Sequence, residues 1–321
     1  MIGLRCFAKA QKVLEARLLH ASKMNPVDLT IDVPYGKLSA KAWGPESGRR
    51  ILALHGWQDN AATFDSLIPH LDPNLRIVAL DFSGHGDSSH CPPGSYYSYT
   101  TYMLDVKRTL QALQWKDVII LGHSLGAMVG LTYAGLFPSE VTKLVALDVM
   151  ATSYYPITHV PSSASKSITQ HLEIEAKLST PPVHSESRLL DRMEEVNPGQ
   201  LTKESKKLLL KRGARFVDEG LVLKRDLRVK VTKMAPFAIE VQKVIAERYK
   251  GYLMVVKAVR ENQRSEFTVE SEFRELYERN CKFFHYVEVK GTHYVHLNNP
   301  ERVAPHINAF LRDGALKQGK L

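Results

Sequence analysis

The chain has 321 residues, 44% hydrophobic and 24% charged, enough to bury a sizeable core in one large domain or two small ones. No apolar run approaches the roughly 18 residues that cross a bilayer, which excludes a transmembrane segment and predicts a soluble protein. The net charge of +9 is concentrated: residues 1–23 carry five basic residues against one acid, and residues 203–233 carry eleven against four, so the remainder is slightly acidic. These basic residues are not interleaved with stacking aromatics in a recognisable module, so nucleic acid is not an expected partner.

Residues 1–23 place Leu4, Phe7, Val13, Leu14 and Leu18 along one helical face among basic residues, as in a mitochondrial transit segment. Met24 as an internal start would remove that signal. Residues 1–26 are accordingly assigned to a targeting-like or disordered segment, and residues 27–313 to one domain. Two alternating runs around Pro34-Tyr35-Gly36 predict a β-hairpin over 27–44. The next apolar runs, ILALHGW (51–57), RIVALDF (76–82), DVIILGHS (117–124) and KLVALDVM (143–150), are short and nearly continuous, as suits strands covered on both faces.

Between those runs, Met103, Val106, Leu110 and Leu113 share a helical face, and a second helix begins at Leu125 and closes at Pro138. Strand alternating with helix predicts an α/β fold with a mostly parallel central sheet flanked by helices. The rhythm stops near Met150 and resumes with GYLMVVKAV (251–259), a helix around Phe273–Tyr277 and KFFHYVEV (282–289). A last helix has the apolar face Val303, Ile307, Phe310 and Leu311. The interruption, about 151–250, is too long for an ordinary loop and rich in helix formers, so it reads as a helical lid inserted after the strand ending near Asp148. Residues 314–321 form a tail whose end, Gly319-Lys320-Leu321, is close to the Ser-Lys-Leu peroxisomal address. Peroxisomal, cytoplasmic and mitochondrial locations therefore remain open.

Chemistry is expected at Gly122-His123-Ser124-Leu125-Gly126, where a buried strand passes into a helix. A tight turn there needs small flanking residues and lifts the serine hydroxyl above the sheet, beside the free amides of a helix N-terminus. Ser124 is the candidate nucleophile. The backbone amides of Trp57, in His55-Gly56-Trp57, and of Leu125 are candidate oxyanion donors. The His55 and Trp57 side chains read as scaffold and pocket wall.

A serine hydroxyl needs a base to take its proton. Among thirteen histidines, His293 follows the last expected strand, whereas His296 falls on the next turn, where packing is expected. The acid that orients the base should sit at a strand end. Asp148 is preferred because it ends a clean buried strand, and Glu261, after the strand at 251–259, is the alternative.

Over residues 28–313 the chain resembles the α/β-hydrolase superfamily through LHGW, Asp81-Phe82-Ser83-Gly84-His85-Gly86-Asp87-Ser88, GHSLG and GTHYVHLNNP. The resemblance implies an α/β-hydrolase fold and His293, seven residues before Pro300, as base. The family's usual acid follows the strand at 251–259, where this sequence reads KAVRENQ without an aspartate. The expected activity is hydrolysis of an ester, thioester or amide through an acyl-enzyme, without cofactor or metal. The alternative is a catalytically silent ligand-binding or scaffolding protein on the same fold.

The expected partner is a small acyl molecule, anionic or lipid-like, and the oligomeric state is left open. Lys206, Lys207, Lys211, Arg212 and Arg215 would attract an anion if they faced one way. The three cysteines, Cys6, Cys91 and Cys281, have neither metal-ligand spacing nor an even count, and read as packing residues of a reducing compartment.

Overall fold

The computed structural model describes residues 25–151, 157–177, 181–231, 237–260 and 268–312. The N-terminal segment 1–23, the C-terminal tripeptide, Cys6 and Glu261 lie outside them. No helix among the described residues is long and apolar enough to cross a membrane.

The predicted hairpin is β1 (Val27–Val33) paired antiparallel with β2 (Gly36–Trp43). The apolar runs then supply β3 (Arg49–Leu54), β4 (Leu75–Leu80), β5 (Val118–His123) and β6 (Val141–Leu147). With β10 (Tyr252–Val259) and β11 (Phe283–Lys290) they form one sheet, ordered β1-β2-β4-β3-β5-β6-β10-β11. From β4 to β11 all neighbours run parallel.

Alternate residues of each strand point to opposite faces, so the continuous apolar runs feed two cores at once. Leu52, Leu54, Ile120, Leu144 and Val255 face one core. Helices α1 (Tyr99–Ala112) and α2 (Leu125–Leu136) cover that core with Val106, Leu110, Val129 and Tyr133. Ile51, Ala53, Ile119, Val145 and Val256 face the other, where Val303, Ile307, Phe310 and Leu311 of the last helix (Pro300–Arg312) pack. Cys91 belongs to the first core and Cys281 packs against it; burial pushes their thiols up to about 11 and about 12.

Between β6 and β10 the chain inserts α3 (Val160–Glu175), α4 (Glu186–Val196), α5 (Lys203–Gly213) and α6 (Ile239–Glu247). The insertion expected as a helical lid is thus helical in the main, but not throughout. The insertion also holds a three-stranded sheet, ordered β7 (Val183–His184), β9 (Gly220–Leu223), β8 (Ala214–Val217). The β8–β9 hairpin turns at Asp218-Glu219, and Gly220 at φ 146° takes a backbone conformation that a side chain would resist. Helix α7 (Thr268–Asn280), the short α8 (Val295–Asn298) and α9 (Pro300–Arg312) complete the chain order.

Candidate active site

Parallel strands bring their carboxyl ends to one edge, and ligand sites of open α/β sheets gather outside that edge. Here β3 delivers His55-Gly56-Trp57, β5 delivers Ser124, β6 delivers Asp148, and the loop after β11 delivers His293.

Ser124 lies at φ 51° and ψ −117°, a strained backbone that a non-glycine residue adopts only when its surroundings impose it. Its amide donates to the Leu147 carbonyl at 3.2 Å, tying the turn to β6. Gly126 lets the following helix come close: a Cβ there would stand 2.0 Å from the Leu54 carbonyl oxygen. The turn thus fixes Ser124 between β3 and β6. The Leu125 amide opens α2, and a helix's first amides have no partner within the helix.

Asp148 also has positive φ, 58°. Its amide donates to the Val256 carbonyl at 2.8 Å, and its Oδ1 accepts from the Ala258 amide at 2.9 Å. The remaining oxygen, Oδ2, is 2.6 Å from His293 Nδ1. Of the two acids expected from sequence, Asp148 therefore contacts the histidine. Glu261 falls outside the described residues.

His293 is fixed by its backbone as well. Its amide donates to Gln200 Oε1 at 3.0 Å, and its carbonyl is 2.9 Å from His123 Nε2. His123 is fully buried, and burial lowers its pKa well below the usual histidine value, with His296 and His293 adding repulsion. It is therefore neutral, and its Nε2–H donates to that carbonyl. Sequence reading assigned no role to Gln200, which lies between α4 and α5 without a motif. The residue before Ser124 was visible, but not its bond across 170 residues of sequence.

The other histidines take supporting places. His55 is fully buried, with Nδ1 2.7 Å from the Gly56 carbonyl, while its Nε2 accepts from the Phe82 amide at 3.1 Å. His296 is buried against Thr63 Oγ1 at 3.0 Å, and burial followed by the His293 charge brings it down to about 3. Trp57 donates its indole N–H to the Val229 carbonyl at 2.7 Å, joining the β3 loop to the insertion.

Ser124 and His293 line a cavity of about 470 Å³. Its floor includes Trp57, Gln58, Asp59, Asn60 and Tyr294, and its roof comes from α4, α5 and β9 of the insertion. The volume is within the range of small-molecule sites.

The family model described as the alpha/beta hydrolase fold matches residues 49–171. The serine hydrolase-like protein of Danio rerio is 35% identical over 89% of this chain and 88% of its own. This chain belongs to the serine hydrolase-like proteins of the α/β-hydrolase fold. Serine hydrolase-like protein 2 of Homo sapiens is also 35% identical, over 89% of this chain and 94% of its own. Among solved structures, a hypothetical protein of Pseudomonas aeruginosa PAO1 superposes with a TM-score of 0.78 at 29% identity, covering 89% of this chain and 99% of that one.

Within this family's frame the basic residues of the insertion do not share one free face. Arg212 turns inward, its Nε 2.8 Å from the buried Asp81 carboxylate and its other nitrogens 3.0 Å from Asp28 Oδ1 and 3.1 Å from Ser39 Oγ. Lys206 pairs with Glu194. The condition under which Lys206, Lys207, Lys211, Arg212 and Arg215 would together attract an anion is therefore not met, because two of the five charges are spent in pairing.

Proposed function

We propose that this chain is a serine hydrolase that cleaves an ester, thioester or amide through an acyl-enzyme on Ser124. The observation that carries the reading is the 2.6 Å contact between His293 Nδ1 and Asp148 Oδ2, with His293 and Ser124 lining the same cavity. Asp148 holds the imidazole with Nδ1 protonated, which leaves Nε2 as the base for the Ser124 hydroxyl.

Attack of Ser124 Oγ on the carbonyl carbon passes its proton to His293. The carbonyl oxygen becomes an oxyanion, for which the Trp57 and Leu125 amides are the donors. Collapse expels the leaving group, which takes the proton from His293, and leaves the acyl group on Ser124. Water, deprotonated by the same histidine, then releases the acid and restores the serine.

An active-site-directed fluorophosphonate tests this directly. The intact protein should be labelled, and Ser124→Ala should not. Absence of labelling in the intact protein, or equal labelling of the variant, refutes the proposal and returns the chain to a silent binding protein on a hydrolase fold.

A further inference from the structure

The roof of the cavity carries three cations, Arg192, Arg225 and Lys230. Their neighbours in sequence are neutralised: Lys224 Nζ is 2.6 Å from Asp87, Arg228 is 2.7 Å from Asp226, and Arg188 is 2.5 Å from Glu195. These three are different. Among the described residues none of them has a carboxylate partner, and Arg225 Nε is buried with no hydrogen-bond partner at all. Among the described residues Arg192 hydrogen-bonds the ring nitrogen of His184 alone, at 3.3 Å.

The cavity's own carboxyl group does not neutralise them. Asp59 lies toward His123, with Oδ2 4.0 Å from Nδ1, and burial raises its pKa to about 7. Burial and the nearby Arg192 lower Arg225 to about 10, and burial with the two arginines lowers Lys230. Leu189, Met193 and Leu223 share this wall, so the charges are held against apolar surface. Like charges gathered there lose hydration and repel one another, a cost that a bound anion would offset.

We propose that Arg225, with Arg192 and Lys230, forms an oxyanion subsite that takes a carboxylate or phosphate carried by the substrate. That the anion belongs to a substrate rests on the reading of Ser124 as nucleophile, whereas the binding itself does not. A guanidinium left with open donors suits either group, because both present paired oxygens to its N–H edge.

The test is calorimetric binding to the full chain carrying Ser124→Ala, which cannot consume the probes. Glutaric acid monoanilide and its phosphonate counterpart are compared with neutral pentananilide. To place the anion across the scissile bond, 4-(pentanoylamino)butyrate is compared with N-butylpentanamide. At least one anionic probe should bind about tenfold or more tightly than its neutral partner. That advantage should shrink about fivefold or more in Arg225→Gln and in Arg192→Gln, and survive in the surface control Lys207→Gln.

The preferred anionic probe tells carboxylate from phosphate. Should Arg225→Gln fail to fold, Arg192→Gln and Lys230→Gln carry the comparison. The proposal is overturned if neither anionic probe set exceeds its neutral partner, or if the advantage persists in the folded glutamine variants. Failure of the fluorophosphonate test would remove the Ser124 reading and leave this result standing.

Discussion

His293 and Asp148 meet across 145 residues of sequence, and the contact depends on one carboxylate being held from two sides. The Asp148 backbone and Oδ1 are both bonded to β10, so Oδ2 alone is free to face the imidazole. Asp148→Asn keeps this shape but stabilises the wrong imidazole tautomer. It should lower kcat by ~10³–10⁴ with little change in KM, while Glu261→Gln should leave kcat within about twofold. A reversed result in ester-hydrolysis kinetics would transfer the acid's role to Glu261. The sequence favoured Asp148 only slightly over Glu261, because both follow apolar strands and the bond to Ala258 is tertiary. Ser124 and His293 were easier to single out as candidates, since each sits in a local pattern of the sequence. Asp59 permits a pH test at the same scale. With its carboxyl raised to about 7, the folded chain holds a proton between about pH 4 and 7 that the unfolded chain has released. The folded state binds more protons in that window, so this group's contribution to stability falls as pH rises through it. Asp59→Asn never ionises and should stabilise the protein by roughly 2–3 kcal/mol more at pH 8 than at pH 5. Equal gains in denaturant melts at the two pH values would refute the assignment.

The turn from β5 into α2 sets two effects of opposite sign against each other. Alanine favours a helix over glycine by about 1 kcal/mol. At position 126, however, its Cβ would fall 2.0 Å from the Leu54 carbonyl oxygen, a backbone atom that cannot swing aside. Overpacking of this kind costs about 1–3 kcal/mol or more, so Gly126→Ala should destabilise the protein and displace the Leu125 amide. A lowered melting temperature together with slowed fluorophosphonate labelling is the expected outcome. Most elements of the sheet and its helices were legible because apolar runs of strand length alternate with amphipathic helices. The small sheet of the insertion was not. Its β8 strand is four residues long, and Phe216 within it is 85% exposed, so no alternation of buried and exposed side chains announces a strand.

At the scale of the whole molecule, Arg212 fastens the insertion to the sheet. Its partner Asp81 is completely buried and also accepts from the Ala61 and Asp87 amides, at 2.7 and 2.9 Å. Removing the guanidinium leaves a buried carboxylate without its counter-charge, so Arg212→Met should cost about 3 kcal/mol in urea unfolding. Pairing it with Asp81→Asn should recover part of that loss; a purely additive double variant would argue against the link. From sequence alone Arg212 looked like one of a row of surface charges, because helical spacing cannot reveal which member meets a buried acid from another part of the chain. The insertion has a further consequence for descent. More than half of the residues lining the cavity belong to it, whereas Ser124, Asp148 and His293 all come from the loops of the central sheet. Lineages can therefore revise what the cavity accepts by altering one continuous stretch of sequence, while the stretches encoding the proposed reacting groups stay as they are.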